Sequence, residues 1–489
     1  MTEKIQTYFA GQWRDASGPA YVTDYPADHS PVARLHAATA DDVDEAVRFA
    51  EQARQLPSWA GLKPHQRAGL LYKIAEGIRA NAEPLAQLQR LDNGKPINET
   101  RALVASAAGT FQFFAAACET YEDTLTPSRG EYLTLSVHEP LGVVAAITPW
   151  NSPIASEAQK MAPALAAGCA VVLKPAEITP RMAIELARIA EQAGVPPGIV
   201  SVLPGKGSVV GEALVNHPLV KRVAFTGGTQ VGTAIAMTAA QRMMPVSLEL
   251  GGKSPTIVCD DADLDHAVAG VLYGIFSSSG EACIAGSRAF VHASVYEVFK
   301  QRLLDGARQL RVGDPAREST QLGPLITPAH RASVERYVAQ GLEEGGQLLC
   351  GGARPEGPEY AQGNYYLPTI FEGLSNTART CQEEIFGPVL ALLPWTDEAD
   401  LIAQCNDSVY GLAAGIWTQD ARRAWRLGAA LQTGTVWINT YKLFSVSTPF
   451  GGVKQSGIGR EKGRLGIQAY MNQKSYYWGT NDAPLPWCR

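Results

Sequence analysis

The chain has 489 residues, 46% hydrophobic and 18% charged, with a formal net charge of −6 and a pI near 5.8. It is too long for one hydrophobic core, so two or three domains are expected. The mild acidic balance offers no basic footprint for nucleic acid and no polybasic membrane patch, so neither is expected as a partner.

The N-terminus, "MTEKIQTYFAGQW", lacks a basic segment followed by an apolar run and does not read as a secretory signal. The longest apolar stretch, "MAPALAAGCAVVL", is short and broken by glycine, so the expectation is a cytoplasmic protein. Cysteines are scattered at 118, 169, 259, 283, 350, 381, 405 and 488 with no CxxC pair, and the histidines show no HExxH spacing. No metal site, zinc ribbon or disulfide framework is expected, and most of these thiols read as free packing residues.

In chain order, residues 40–120 read as mostly helical, as in "ADDVDEAVRFAEQARQL" and "HQRAGLLYKIAEGIRANAEPLAQLQ", where apolar positions recur at three- and four-residue spacing. "EYLTLSVHEPLGVVAAITPWN" then turns strand-like, enriched in β-branched and aromatic residues. From there short apolar runs ("GVVAAIT", "CAVVLKP", "IVSVLPG", "RVAFTG", "VSLELGG") alternate with helical segments ("PIASEAQKMAPALAAG", "PRMAIELARIAEQAG", "SVVGEALVNH", "TQVGTAIAMTAAQ"). That alternation predicts βαβ units and a largely parallel sheet. In such sheets ligands bind beyond the carboxyl ends of the strands, which directs attention to Asn151, Lys174, Gly205, Gly227 and Glu249.

A second alternating section starts near "KSPTIVCDDADLDHAVAGVLYGIF" and runs to about residue 455, read as a second α/β domain. The end, "QAYMNQKSYYWGTNDAPLPW", is rich in aromatics without a core pattern. It reads as a strand donated to a neighbouring subunit rather than a frayed tail, because so many exposed aromatics would be a liability in a monomer.

Several short motifs carry possible chemistry. "PGKGSVVG" follows a strand and opens a helix, but Gly205, Gly207 and Gly211 are spaced GxGxxxG, one residue off the dinucleotide fingerprint. "FTGGTQVG" also leads from strand to helix, and its glycines allow close approach of a ligand to a helix N-terminus. Lys174 is either an edge gatekeeper or, with Glu177, a holder of ribose hydroxyls. Glu249 ends an apolar strand, where a carboxylate is costly unless it is paired or acts as a general base. Cys283, in "SSSGEACIAGSR", is either a nucleophile or one more packing cysteine.

Taken in order, "TPWN", "KPAE", "FTGG", "ELGGKSP", "GEACIAGSR", "EEIFGPV" and "PFGGVKQSGIGRE" resemble the aldehyde dehydrogenase superfamily, from about residue 7 to residue 477. The resemblance implies an α/β protein: a Rossmann-like NAD-binding domain over 1–120 and 142–251, and an α/β catalytic domain over 252–469. It adds a small β extension, 121–141 with 470–489, through which a homodimer or homotetramer would form. It also implies NAD as cofactor and a small-molecule aldehyde as substrate, oxidised to a carboxylic acid.

Carried over residue by residue, the resemblance makes Cys283 the nucleophile, forming first a thiohemiacetal and then a thioester, and Glu249 the base that activates the hydrolytic water. The side-chain amide of Asn151 and the backbone N–H of Cys283 would form the oxyanion hole, and Glu461 would relay protons. Lys174 and Glu177 would hold the adenine ribose. Gly227, Gly228 and Gly232 would line the pyrophosphate turn, while Glu384 and Phe386 hold the nicotinamide ribose and ring. Thr148, Trp150, Gly207 and Leu250 complete the implied cofactor set. A carboxylate at Glu177 favours NAD over NADP, because it welcomes a 2′-hydroxyl and repels a 2′-phosphate.

Three departures from the family pattern bear on function. Gly228 stands where many members have Ser. Glu281 stands where many have Gln, and the sequence offers no account of the charge. The positions after Asn151 are Ser152, Ala155, Ser156 and Gln159 instead of bulky apolar residues, and the opposite wall, "TYKLFSVSTPF", sets Lys442 among Tyr441, Phe444 and Phe450. The expectation is a wide, polar tunnel with a cation at its mouth, suited to a polar or carboxylate-bearing semialdehyde of a catabolic pathway; Lys442 could instead be a solvated loop lysine. Two rival functions are a CoA-acylating aldehyde dehydrogenase and a catalytically silent structural homologue. The presence of Glu249 weighs against the first, and that of Cys283, Asn151 and Glu249 together against the second.

Overall fold

The computed structural model describes residues 3–482 together with Pro484 and Trp487. The remaining positions of the expected tail strand, Ala483, Leu485, Pro486, Cys488 and Arg489, lie outside the described residues.

Besides the single turn Pro57–Ala60, four helices fill the predicted helical stretch: Ala40–Ala53, Pro64–Ala80, Ala82–Asn93 and Ile97–Glu119. The first opens on a capping box, in which Thr39 and Asp42 each accept the other's backbone N–H. The last is long and apolar enough, by length and composition, to cross a membrane. Here Val104, Ala108, Phe111 and Phe114 are buried within the first hydrophobic core, and the helix packs on Pro64–Ala80 and Pro153–Ala167.

The alternating runs form a six-stranded sheet in the order Val200–Val202, Ala170–Lys174, Val143–Ile147, Val220–Thr226, Val246–Glu249, Gly457–Ile458. The first five strands are parallel, as predicted. Helices Pro153–Ala167, Arg181–Gln192 and Thr229–Gln241 connect them, and strands covered on both faces explain the unbroken apolar runs. The decoy glycine motif becomes a π-helical turn, Gly207–Gly211, that leads into the short helix Glu212–Asn216.

A second sheet has seven strands, ordered Gln347–Cys350, Thr369–Glu372, Val389–Trp395, Arg288–His292, Pro255–Val258, Ala413–Trp417, Thr435–Ile438. All are parallel except the first, which pairs antiparallel. The chain then returns to the first sheet: Gly457–Ile458 lies antiparallel to Val246–Glu249, and Ile467 and Tyr470 belong to the first core. The stretch 252–469 thus contributes strands to both sheets. Glycine permits the crossing, since a Cβ at Gly457 would lie 2.1 Å from the carbonyl of Leu248.

A third, three-stranded sheet takes in the C-terminal segment. Met471–Gly479 pairs residue for residue with Tyr132–Pro140 of the same chain, which pairs in turn with Thr124–Thr126. The aromatic tail finds its partner strand within its own chain, because the helix Gly463–Gln468 delivers it beside that strand. Tyr477 and Trp478 stay 74% and 67% exposed, so pairing alone does not cover the apolar face.

Candidate active site

The loop carrying Cys283 follows the helix Leu264–Phe276 at the edge between the two sheets. Ser278, Ser279 and Gly280 have φ of 58°, 54° and 74°, three successive left-handed residues that turn the chain back sharply. Gly280 is required there, since a Cβ would meet the carbonyl of Gly387 at 2.2 Å. Glu99 holds the turn from outside: Ser278 donates its backbone N–H and its hydroxyl to the two carboxylate oxygens at 2.8 and 2.6 Å. Within the loop, the N–H groups of Glu281, Ala282, Ala285 and Gly286 are taken by local carbonyls. Those of Cys283 and Ile284 donate to no backbone acceptor among the described residues.

Of the seven described cysteines five are buried, while Cys283 and Cys350 are half-buried. Cys283 packs with Ala282 against Ile284, Leu412, Trp437, Tyr441 and Phe450. Its thiol is pushed up to about 12 by burial and by the carboxylates of Glu384 and Glu249, with the Lys442 ammonium opposing them. A base is needed to ionise such a thiol near neutral pH.

Glu249 ends its strand 4% exposed, and neither carboxylate oxygen has a hydrogen-bond partner among the described residues. Burial first, and then the charge of Glu461, push its carboxyl well above the ordinary range; Lys160, Arg460 and Lys462 act against this. Glu461, 5% exposed, is fully engaged: Lys160 Nζ and Gln159 Nε2 donate to its two oxygens, each at 2.5 Å. Gln159, expected on the substrate wall, thus has its amide committed to Glu461. Lys160 went unnoticed in the sequence, although a lysine in the mostly apolar helix Pro153–Ala167 was a usable signal, since buried lysines are rare unless paired.

Asn151 donates Nδ2–H to the backbone carbonyl of Glu281 at 2.9 Å. A primary amide has a second N–H, which this bond leaves available. Ser152 and Ser156, at the start of the next helix, are half-buried.

On the cofactor side, Lys174 donates to the carbonyl of Pro175 at 2.9 Å. Burial lowers this ammonium to about 8, with the nearby Glu177 carboxylate opposing the shift. The helix Thr229–Gln241 begins at Gly228 with no side-chain cap, and a Cβ at Gly228 or Gly207 would meet nothing within 4 Å. By contrast, a Cβ at Gly227 would lie 2.5 Å from the Phe225 ring, and at Gly232 2.4 Å from Leu250. An uncapped helix N-terminus facing open space is suited to a phosphate. The hydroxyl of Thr148 is buried without a hydrogen-bond partner among the described residues, while its N–H donates to the carbonyl of Lys174. Glu384 accepts the Gly252 N–H at 3.0 Å, and burial pushes its carboxyl up to about 7. Trp150 lies edge-on to Phe386, ring centroids 5.2 Å apart, and to His330 at 5.6 Å. The Lys174 ammonium, the Glu384 carboxylate, the uncapped helix terminus at Gly228 and the Trp150 and Phe386 rings are group types that fit a dinucleotide.

Lys442 is not a solvated loop lysine. Its ammonium donates to Ser277 Oγ at 2.7 Å and sits 5.8 Å from the centre of the Tyr273 ring. Burial lowers it to about 7, against the pull of Glu99. Phe444 and Phe450 meet edge-to-face at 5.3 Å, and Lys462, which sequence reasoning missed, places its ammonium 3.9 Å from the Phe444 ring centre and 5.5 Å from that of Phe450. Two cations thus border the aromatic residues near Cys283.

The model of the aldehyde dehydrogenase family matches residues 13–476. A betaine aldehyde dehydrogenase from Cereibacter sphaeroides is 42% identical over 97% of this chain and 96% of its own length. The solved structure of an aldehyde dehydrogenase from Bacillus cereus in complex with NAD+ superposes with a TM-score of 0.95 at 38% identity, over 98% of this chain and 97% of that one. A betaine aldehyde dehydrogenase from Staphylococcus aureus, also in complex with NAD+, gives a TM-score of 0.97 at 34% identity, over 99% and 96%.

Proposed function

For a chain that belongs to the aldehyde dehydrogenase family and is an NAD-dependent aldehyde dehydrogenase, we propose a hydrolytic reaction through a covalent thioester on Cys283, acting on a polar or carboxylate-bearing semialdehyde. The observation that carries this reading is Glu249, buried without a hydrogen-bond partner among the described residues and within electrostatic reach of the Cys283 thiol.

The Cys283 proton passes to the ionised form of Glu249, and the thiolate attacks the aldehyde carbon to give a tetrahedral alkoxide. The second Nδ2–H of Asn151 and the Cys283 N–H hold that oxygen; losing one such donor typically costs about 2.7–4 kcal/mol. Lys174, Glu177, the Gly228 helix terminus, Glu384 and Phe386 would hold NAD, which would supply the hydride acceptor that lets the alkoxide collapse to a thioester. Thr148, Trp150, Gly207, Gly227, Gly232 and Leu250 shape that binding surface. Once that first proton has passed on through Glu461 to solvent, Glu249 takes a proton from water, which attacks the thioester carbon, and the thiolate leaves as the carboxylic acid forms. Glu461, neutralised by Lys160, is placed to receive a proton from Glu249 in turn.

The substrate class follows from charge. A quaternary ammonium aldehyde, as the names of the betaine aldehyde dehydrogenases would suggest, calls for free aromatic faces. Here Lys462 lies over Phe444 and Phe450, and Lys442 over Tyr273, so such a cation would meet two like charges. A carboxylate would meet two partners. Glu177 disfavours a 2′-phosphate and hence NADP. The three-stranded sheet, with Tyr477 and Trp478 exposed, supports a homodimer or homotetramer formed through it. The division into an NAD-binding unit, a catalytic unit and this extension belongs to the same proposal.

The test is NADH formation across a panel of neutral, cationic and acidic aldehydes. Acidic semialdehydes should give the highest kcat/KM, and Cys283→Ala should remove activity with all of them. A preference for betaine aldehyde, or activity surviving in that variant, would refute the reading.

A further inference from the structure

Three consecutive serines, Ser277, Ser278 and Ser279, lead into the loop that carries Cys283, and each hydroxyl is committed to a different part of the fold. Ser277 Oγ donates to the carbonyl of Tyr273 at 2.6 Å, one helical turn back, and accepts from Lys442. Ser279 Oγ donates to the carbonyl of Gly323 at 2.9 Å. Ser278 gives both of its donors to Glu99, the backbone N–H to one carboxylate oxygen and the hydroxyl to the other.

Glu99 lies in the first turn of Ile97–Glu119, the helix of the first core that packs on Pro153–Ala167. Asn151 stands just ahead of the second of these helices, and its amide donates to the carbonyl of Glu281 at 2.9 Å. The stretch Ser278–Glu281 is therefore tied at one end to a helix, and at the other to the residue that leads into that helix's neighbour. Cys283 follows directly after the second tie. Between the ties the backbone is left-handed at Ser278 and Ser279, with φ of 58° and 54°. There a Cβ crowds the following carbonyl, a conformation that serine keeps only where neighbouring groups hold it.

Resting on the mechanism proposed above, we infer that Glu99 is a positioning residue for the nucleophile: its carboxylate holds Ser278 left-handed and thereby sets where Cys283 stands relative to the Asn151 amide. Its hydrogen bonds go to the turn, so it reaches the reaction only through the loop. The carboxylate also stands 3.9 Å from the buried Lys95 ammonium, and these two roles make opposite demands on a substitute. Glutamine keeps the reach and loses the charge: its Oε1 accepts the Ser278 N–H and its Nε2 donates to Ser278 Oγ. Aspartate keeps the charge and, one methylene shorter, cannot span both donors.

The experiment measures kcat of the full-length enzyme at saturating aldehyde and NAD for these two variants, each in the wild-type and in a Ser278→Gly background. Glu99→Gln should stay within about two-fold of the wild type. Glu99→Asp should lower kcat about ten-fold with the KM for NAD unchanged, because it is the placement of the thiol that is disturbed. In the Ser278→Gly background Glu99→Asp should cost no more than about three-fold, because glycine adopts this conformation without a holder. A Gln variant as slow as the Asp variant, an Asp variant as fast as the wild type, or an undiminished loss in the Ser278→Gly background overturns the inference. Any of these with Cys283→Ala still inactive would leave the proposed function standing, whereas activity in Cys283→Ala would remove both.

Discussion

Glu249 and Glu461 occupy neighbouring regions of the first sheet's edge and are almost equally hidden, at 4% and 5% exposure. Their surroundings are opposite. Glu461 is closed off by Lys160 and Gln159, whereas both oxygens of Glu249 lack a protein partner among the described residues. A buried carboxylate with a set of donors is held in place by them; a buried carboxylate with none has its proton affinity raised and can exchange a proton with a substrate or water. The difference assigns exchange with the reactants to Glu249 and a supporting part to Glu461.

The sharpest way to break this contrast is Glu249→Gln. It should lower steady-state kcat about 10²–10³-fold and slow the first turnover of NADH as well, because thiol ionisation and thioester hydrolysis both lose their base. Stability at neutral pH should not fall. The folded protein holds this proton more tightly than the unfolded chain, whose value is near 4.5, so Glu249 costs stability as pH rises above 4.5. Gln removes that cost. Thermal melts across pH check the sign.

Lys160→Met should do the reverse. It leaves the buried Glu461 charge uncompensated and should destabilise the fold by about 3–5 kcal/mol, with a smaller loss of kcat, about ten-fold. If Lys160→Met affected activity more than Glu249→Gln, the assignment would be inverted.

The third prediction concerns Lys442, lowered to about 7. Its ammonium form dominates below that value and the neutral amine above it. The KM for an acidic semialdehyde should therefore rise several-fold between about pH 6 and about pH 9, while that for a neutral aldehyde stays flat. Lys442→Met should reduce the slope, leaving the part due to Lys462, which burial lowers to about 8. Initial rates at fixed NAD measure it.

The smallest effect is expected at Gly228→Ser. With φ of −68° and open space around the Cβ position, serine fits without strain, caps the helix and offers a phosphate a hydroxyl. The KM for NAD should change by no more than about three-fold, and the melting temperature should hold or rise slightly.

Much of this protein was determined by the sequence alone. Apolar runs alternating with amphipathic stretches specify the parallel sheet locally, because each strand and helix must bury its own face. The ordered motifs around Asn151, Glu249 and Cys283 point to the chemistry before any coordinate is considered. Only the tertiary structure decided the partners: Lys160 on Glu461, Glu99 on Ser278, Lys462 over Phe444, and the tail strand on Tyr132–Pro140 of its own chain. Those pairings join residues up to several hundred positions apart. The reason is physical: periodicity records how a residue meets its nearest neighbours in the chain, whereas compensation of a buried charge depends on whichever group the fold brings beside it.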